Sequence, residues 1–359
     1  MKMNRTLVFT IVGITLLGSA VYIQRAAVAV FLMEKGAEQR LGHSVLADFD
    51  DGLHVILCGA GSPLFDPKRS GPCVAVIAGD ALVIVDAGSG SSRQLANMQV
   101  PLGQIDAQLL THFHSDHIDG LGEMAMMRWV NAAHTAPLPV IGPVGTKNIV
   151  EGFNKAYAAD AQYRHAHHTD KVAPLSGTGM IAREFSPPIS GERIPVFDQG
   201  GLVITAFTVD HSPVEPAVGY RFDYKGRSAI ISGDTRKSAN LEKMAGGVDL
   251  LVHEALSPDL VAVMNRAARK NNNSILEKIT HDIVDYHTSP VEAAEIAEAA
   301  QVGHLLYYHI VPPLVVPGLE AKFLEGVDNA YNGSLTVGVD GSFVSLPANR
   351  EVIELGNLK

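Results

Sequence analysis

Short apolar stretches recur along this chain, and nearly every one stops at a turn signal. Residues 53–58 read as a strand that ends in Gly59-Ala60-Gly61-Ser62-Pro63. Residues 74–78 and 82–86, joined by Gly79-Asp80, carry a hairpin signature. A short buried strand over 108–111 follows, then helical periodicity over 121–130 and 149–157. Residues 159–192, with Pro187-Pro188 and several glycines, read as an irregular loop at the edge of an active site. Further strands are expected over 202–209, 218–223, 228–232, 249–252 and 305–308. Ser289-Pro290-Val291-Glu292 opens a helix to Gln301, with Ser as cap, Pro in the first turn and Glu three residues on. Strands and hairpins, then helices, then the same again, predict an α/β fold. Two mixed sheets packed face to face with helices outside would form a four-layer αββα sandwich, its two halves contributed by related halves of the chain.

The first residues do not fit that pattern. Lys2 and Arg5 precede an uncharged apolar run over residues 6–24. At about 1.5 Å per residue the run matches a hydrocarbon core of roughly 30 Å. The reading is an uncleaved anchor that exports the rest of the chain; a signal peptide cut near Ala27-Val28-Ala29 is the alternative. Residues 1–25 are thus the anchor or signal, 26–50 a charged connector, and 51–350 one folded domain. The expected location is membrane-anchored and facing the periplasm or exterior, or secreted after cleavage.

Composition changes the picture in three places. A net charge of −10 gives no footprint for polyanion binding, so nucleic acid is an unlikely partner. The two cysteines, Cys58 and Cys73, lie in neighbouring candidate strands without CxxC spacing. An exported chain can pair them, but two buried thiols is the reading taken. Fifteen histidines is many for 359 residues, and their placement carries the chemistry.

Four candidate ligands stand together in His112-Phe113-His114-Ser115-Asp116-His117, directly after a buried strand. Alternation along an extended chain puts His112 and His114 on one side, so that they converge on one ion. Asp116 and His117, past the turn, can reach another. Imidazole and carboxylate without thiolate suit a catalytic zinc that keeps a position open for water. Two ions need about seven ligands, and His211, Asp234 and His309 each follow an apolar strand. The cluster His165, His167 and His168 falls in the variable loop and reads as solvated side chains.

These motifs resemble the metallo-β-lactamase superfamily, in particular the branch containing ribonuclease Z and zinc arylsulfatases. The likeness runs from about Leu53 to Val311 and includes Asp86-Ala87-Gly88, Gly233-Asp234-Thr235-Arg236, His253-Glu254-Ala255 and His287-Thr288-Ser289. It implies two zinc ions per chain. His112, His114 and His211 would hold one, Asp116, His117 and His309 the other, and Asp234 would bridge them, with a metal-bridging hydroxide as nucleophile. It also implies a general acid at His287, oriented by Glu254, and counts Asp116 as catalytic besides its ligand role.

Bacterial ribonuclease Z carries a long arm between the positions matching His211 and Asp234, which here are only 23 residues apart. With the acidic charge and the apolar N-terminus, the missing arm favours a small-molecule phosphate or sulfate ester, cleaved in a phosphodiesterase or arylsulfatase manner. The alternatives are a ribonuclease Z-like tRNA 3′-endonuclease, a lactonase or β-lactamase, and a non-catalytic zinc-binding module. The sequence leaves the oligomeric state open, with a homodimer as one option because dimers are common among relatives.

Overall fold

Strand after strand in this chain is apolar at consecutive positions, because both faces of each sheet are covered. The structure, a computed structural model, describes residue 18, residue 22, residues 24–41 and residues 44–359. It comprises two compact units, Met1–Ala47 and Asp48–Lys359. In the first, a helix spans Arg25–Leu41 where a connector was expected. The expected anchor over residues 6–24 falls almost wholly outside the described residues. Among the described residues no helix is long and apolar enough to cross a membrane, so the anchor has no structural support.

The second unit holds fifteen strands. The first six are β1 (Gly52–Gly59), β2 (Cys73–Ala78), β3 (Ala81–Val85), β4 (Ala107–Leu109), β5 (Leu138–Pro143) and β6 (Met180–Phe185). The next seven are β7 (Ile194–Gln199), β8 (Leu202–Thr208), β9 (Val218–Tyr224), β10 (Arg227–Ile231), β11 (Leu250–Leu256), β12 (His304–Val311) and β13 (Ser334–Val337). The last two are β14 (Ser342–Pro347) and β15 (Glu354–Asn357). One sheet runs β15-β14-β1-β2-β3-β4-β5-β6, the other β13-β12-β11-β10-β9-β8-β7. The halves of the chain thus build separate sheets as expected, except that β14 and β15 return to the first. The domain also continues past residue 350 to include β15.

Alternation along the strands separates the two faces of each sheet. Leu53, Val55 and Leu57 of β1 meet Ile204, Tyr220, Phe222, Val252 and Tyr308 in one core between the sheets. The intervening residues of the second sheet, Phe207, Ile230, Leu251, Leu305 and Tyr307, pack with Ala293, Ile296 and Ala297 of the helix Pro290–Ala299. Each such side chain, fully buried, contributes roughly 1.5–3 kcal/mol. The predicted capping box is present: the Ser289 side chain accepts from the Glu292 backbone, and the Glu292 side chain accepts in return.

Two local expectations are corrected, and one stretch left without an element is filled. Cys58 and Cys73 form a disulfide, because the bulge between Leu57 and Gly59 where β1 pairs with β2 brings their Cα atoms to 5.0 Å. Residues 159–192 are not one irregular loop: the helix Thr146–His168 runs through the cluster His165, His167 and His168, and β6 follows. Residues 258–286, given no element above, form two helices, Pro258–Lys270 and Ser274–Asp282, and a 3-10 turn. The caps were present in sequence: the Ser257 side chain accepts from Leu260 N, and that of Asn273 from Leu276 N.

Candidate metal centre

Parallel pairing decides where the polar residues go. β10, β11 and β12 run parallel, as do β3 and β4, so their C-terminal ends share an edge of the sandwich. Past the end of β4 the chain turns through His112 to a helical turn at Ser115–Ile118, which buries Asp116 and His117. His211 follows β8, and Asp234 follows β10 after Gly233, whose φ of +62° and close neighbours, the Val218 carbonyl and the Thr111 side chain, exclude a side chain.

His309 arrives by a different route. It does not end its strand as expected but lies inside β12, where Glu254 pairs with Tyr308 and Ala255 with Ile310. His309 is therefore the unpaired residue of a β-bulge, at φ +46°. A bulge re-aims one side chain without ending the ladder. Here it turns an imidazole toward the ligands from the other sheet.

All seven expected ligands come together. One group consists of His112, His114, His211 and Asp234, the other of Asp116, His117 and His309, with donor atoms within 4.8 Å of one another in each. Asp234 Oδ2 lies 3.8, 3.4, 3.9 and 3.4 Å from the Nε2 atoms of His112, His117, His211 and His309. His309 Nε2 is also 3.3 Å from Asp116 Oδ2. Two donors on one tetrahedral zinc, each at about 2.0–2.2 Å, sit roughly 3.3 Å apart. The spacing around Asp234 is that of atoms sharing ions. Buried His117 Nε2, which faces Asp234 and Asp116, has no hydrogen-bond partner, as an atom awaiting a cation would not. The donor set fits two metal ions.

The electrostatics agree. Burial holds the His112 and His211 imidazoles below their ordinary values, in the neutral form that ligates metal. Burial would raise Asp234, but the charges of His309 and His117 hold it well below the usual carboxylate range. Burial would likewise lower His117, yet Asp234, Asp86 and Asp116 push it well up. A proton on His117 answers the carboxylate charge until a cation displaces it.

The supporting contacts fix which nitrogens face the centre. His117 Nδ1 lies 2.8 Å from Asp86 Oδ2, and Asp86 also accepts from Thr111 N and Oγ1 at 2.9 and 2.8 Å. His211 Nδ1 donates to the Tyr286 carbonyl at 2.8 Å. Such partners orient ligating imidazoles. Asp86 was missed as a site residue, although it too stands at a strand end, within Asp86-Ala87-Gly88.

His287 and Glu254 also meet. His287 Nδ1 is 3.1 Å from Glu254 Oε1, which further accepts from Thr288 N at 3.0 Å. The His287 ring stacks 5.6 Å from that of His309. Burial alone would lower its pKa, but the Glu254 charge and hydrogen bond, with Asp234 beyond, lift it to about 9. A buried, protonated imidazole beside a metal centre is placed to donate a proton.

Two cavities adjoin the ligands, of about 250 and 470 Å³. Neither is lined by any residue of 140–200, so the expected loop does not edge the site. The smaller is walled by the helical pair 258–286 and by Ser62 to Leu64.

A family profile described as "Beta-lactamase superfamily domain" matches residues 82–310. A protein of Mycobacterium bovis named ribonuclease Z is 38% identical over 293 residues, covering 80% of this chain and 96% of its own length. One of the same name from Mycobacterium avium is 37% identical over 290 residues, with the same coverage. Among solved structures, the metallo-β-lactamase-fold protein YhfI of Bacillus subtilis aligns with TM-score 0.59 and 20% identity, over 82% of this chain and 100% of its own. Short-form human tRNase Z aligns with TM-score 0.57 and 21% identity, over 82% and 99%.

These relatives overturn the expectation of a small phosphate or sulfate ester, and with it the expectation that nucleic acid is an unlikely partner. The arm argument fails on length: with 96% of the mycobacterial relative matched, little remains for a long arm that this chain lacks. The charge argument fails because a summed −10 says nothing of the field inside one cleft.

Proposed function

Because the chain belongs to the β-lactamase superfamily, among relatives named ribonuclease Z, we propose that it is a dinuclear zinc endoribonuclease that removes 3′ extensions from tRNA precursors. The observation that carries a two-metal reading is Asp234 Oδ2, set among four imidazole nitrogens at 3.4–3.9 Å. Identity of 34–38% across most of the chain supports RNA as the substrate class.

His112, His114 and His211 would hold one ion, Asp116, His117 and His309 the other, and Asp234 both. When bound, the ions supply a nucleophilic water at neutral pH and positive charge for the phosphate oxygens. The chain's own groups do the rest. Asp86 and the Tyr286 carbonyl hold His117 and His211 in their ligating tautomers. Glu254 keeps His287 protonated and committed through Nδ1, which leaves Nε2 to protonate the departing ribose oxygen. Glu254 acts through His287 and is a positioning residue.

The test is a labelled precursor tRNA transcript with a 3′ extension, incubated with the zinc-loaded protein. A single internal cut at the base of the extension is expected, and its absence after Asp234→Ala. A transcript left intact by protein that hydrolyses bis-p-nitrophenyl phosphate would refute the ribonuclease reading.

A further inference from the structure

The two cavities that meet at the metal centre differ in chemistry. The larger is lined by the hydroxyls of Ser62, Ser70, Ser89 and Ser115, by Asp66, Asp119 and Arg69, and on one side by Leu64 and Phe65. The smaller shares His114, Asp116, Asp234 and His309 with the centre, so whatever binds there extends into it. Its outer walls are Leu64, Met264, Leu276, Ile279, Ile283 and the ring of Tyr286. No lysine or arginine lines it, and its ionisable groups are the metal ligands, His287 and the Tyr286 phenol. A second phosphate placed there would find no countercharge, whereas a flat, uncharged ring would find apolar contact and a stacking partner.

The wall is built to hold its shape. Asn265 Nδ2 donates to Glu277 O at 2.8 Å and to Thr280 Oγ1 at 2.9 Å, tying one helix of the pair to the other. Tyr286 is anchored through its carbonyl to His211. Leu276 is half-buried and Ile279 exposed although both are apolar, as expected of side chains that await a ligand.

His287 lines the apolar cavity and is absent from the polar one. The leaving oxygen must therefore face the apolar side. Resting on the ribonuclease reading, we propose that this cavity is a base pocket for the nucleoside that carries the leaving oxygen. Its base inserts between Tyr286 and the Leu276–Ile279 wall, while the strand beyond the attacked phosphate follows the larger cavity. Specificity for an unpaired nucleotide at the cut follows, because a paired base cannot enter.

The experiment places an abasic residue in turn at each nucleotide flanking the cleaved phosphate of a precursor tRNA transcript. The zinc-loaded full chain is expected to lose about tenfold to a hundredfold in kcat/KM when the leaving-side base is absent. Removing the base across the phosphate should change kcat/KM by less than about threefold. In the double variant Leu276→Ser/Ile279→Ser the ratio of intact to abasic rates should shrink to within about threefold. That ratio does not depend on the folded fraction. A penalty absent on the leaving side, confined to the other side, or undiminished in the double variant overturns the pocket. Failure to cleave any transcript, with bis-p-nitrophenyl phosphate still hydrolysed, overturns the ribonuclease reading and the pocket with it. Transcripts cut without a base penalty leave that reading standing and remove only the pocket.

Discussion

The strand-end edge that carries the ligands and the helical pair 258–286 that walls the cavity reach the same few ångströms by opposite means. The first is polar, buried except at half-buried His114, and fixed by two sheets, with Asp86, Thr111 and Glu254 holding the imidazoles from behind. The second is apolar, half-exposed and held by caps and the Asn265 contacts. Chemistry that must not move is placed on strand ends; the proposed substrate contacts are placed on a helical pair between β11 and β12. Changes at the first should abolish turnover, and changes at the second should alter which substrate is chosen.

The largest expected effect breaks the first region outright. Asp234→Ala should lower RNA cleavage by at least about a thousandfold, because two ions would lose their shared ligand and face each other unscreened. Elemental analysis should show zinc falling from two equivalents to one or fewer. Retention of both ions would remove Asp234 from the bridging position.

His287→Ala should cost about a hundredfold to a thousandfold on RNA. The loss should be smaller on bis-p-nitrophenyl phosphate, whose leaving group needs no proton; equal losses would exclude a general acid. Glu254→Gln should cost about tenfold to a hundredfold. Since the Glu254 carboxylate raises the His287 pKa, removing its charge should move the alkaline limb of the rate profile to lower pH. An unmoved limb would show that Glu254 serves the fold alone.

Two smaller effects concern stability. The Cys58–Cys73 disulfide closes a 15-residue separation, so its loss in Cys58→Ala/Cys73→Ala should cost about 3 kcal/mol in denaturant unfolding. An unchanged midpoint would show that sheet pairing alone fixes β1 and β2. Buried His304, held by Ser334 and Thr336, has its pKa lowered to about 4 by desolvation. The unfolded chain takes up this proton near pH 6.5 and the folded chain only near 4, so stability falls as pH drops through that window. Between pH 7 and 5 this site should account for about 2 kcal/mol, and His304→Asn should flatten the pH slope by that amount.

The metal centre was legible because its ligands form one contiguous motif and three residues that each follow an apolar run, and alternation places His112 and His114 without knowledge of the whole fold. The bulge at His309 was not, since its register is set by β11, fifty residues upstream. The disulfide depended likewise on a register shift at Leu57 and Gly59. The helical wall had readable caps at Ser257 and Asn273, but its apolar side chains have no stated partner until the fold sets them over the ligands. The substrate class was misread for a different reason. Net charge and a missing arm are properties of the whole chain, whereas selection is made by the few groups lining the cleft.

The central claim is that two metal ions, held by seven residues across the seam of the sheets, cut RNA. It is tested most directly by titrating metal-free protein with zinc while following precursor tRNA cleavage. Negligible cleavage is expected without metal, and a rise that saturates at two equivalents per chain. Full activity without metal, or saturation at a single equivalent, would contradict it.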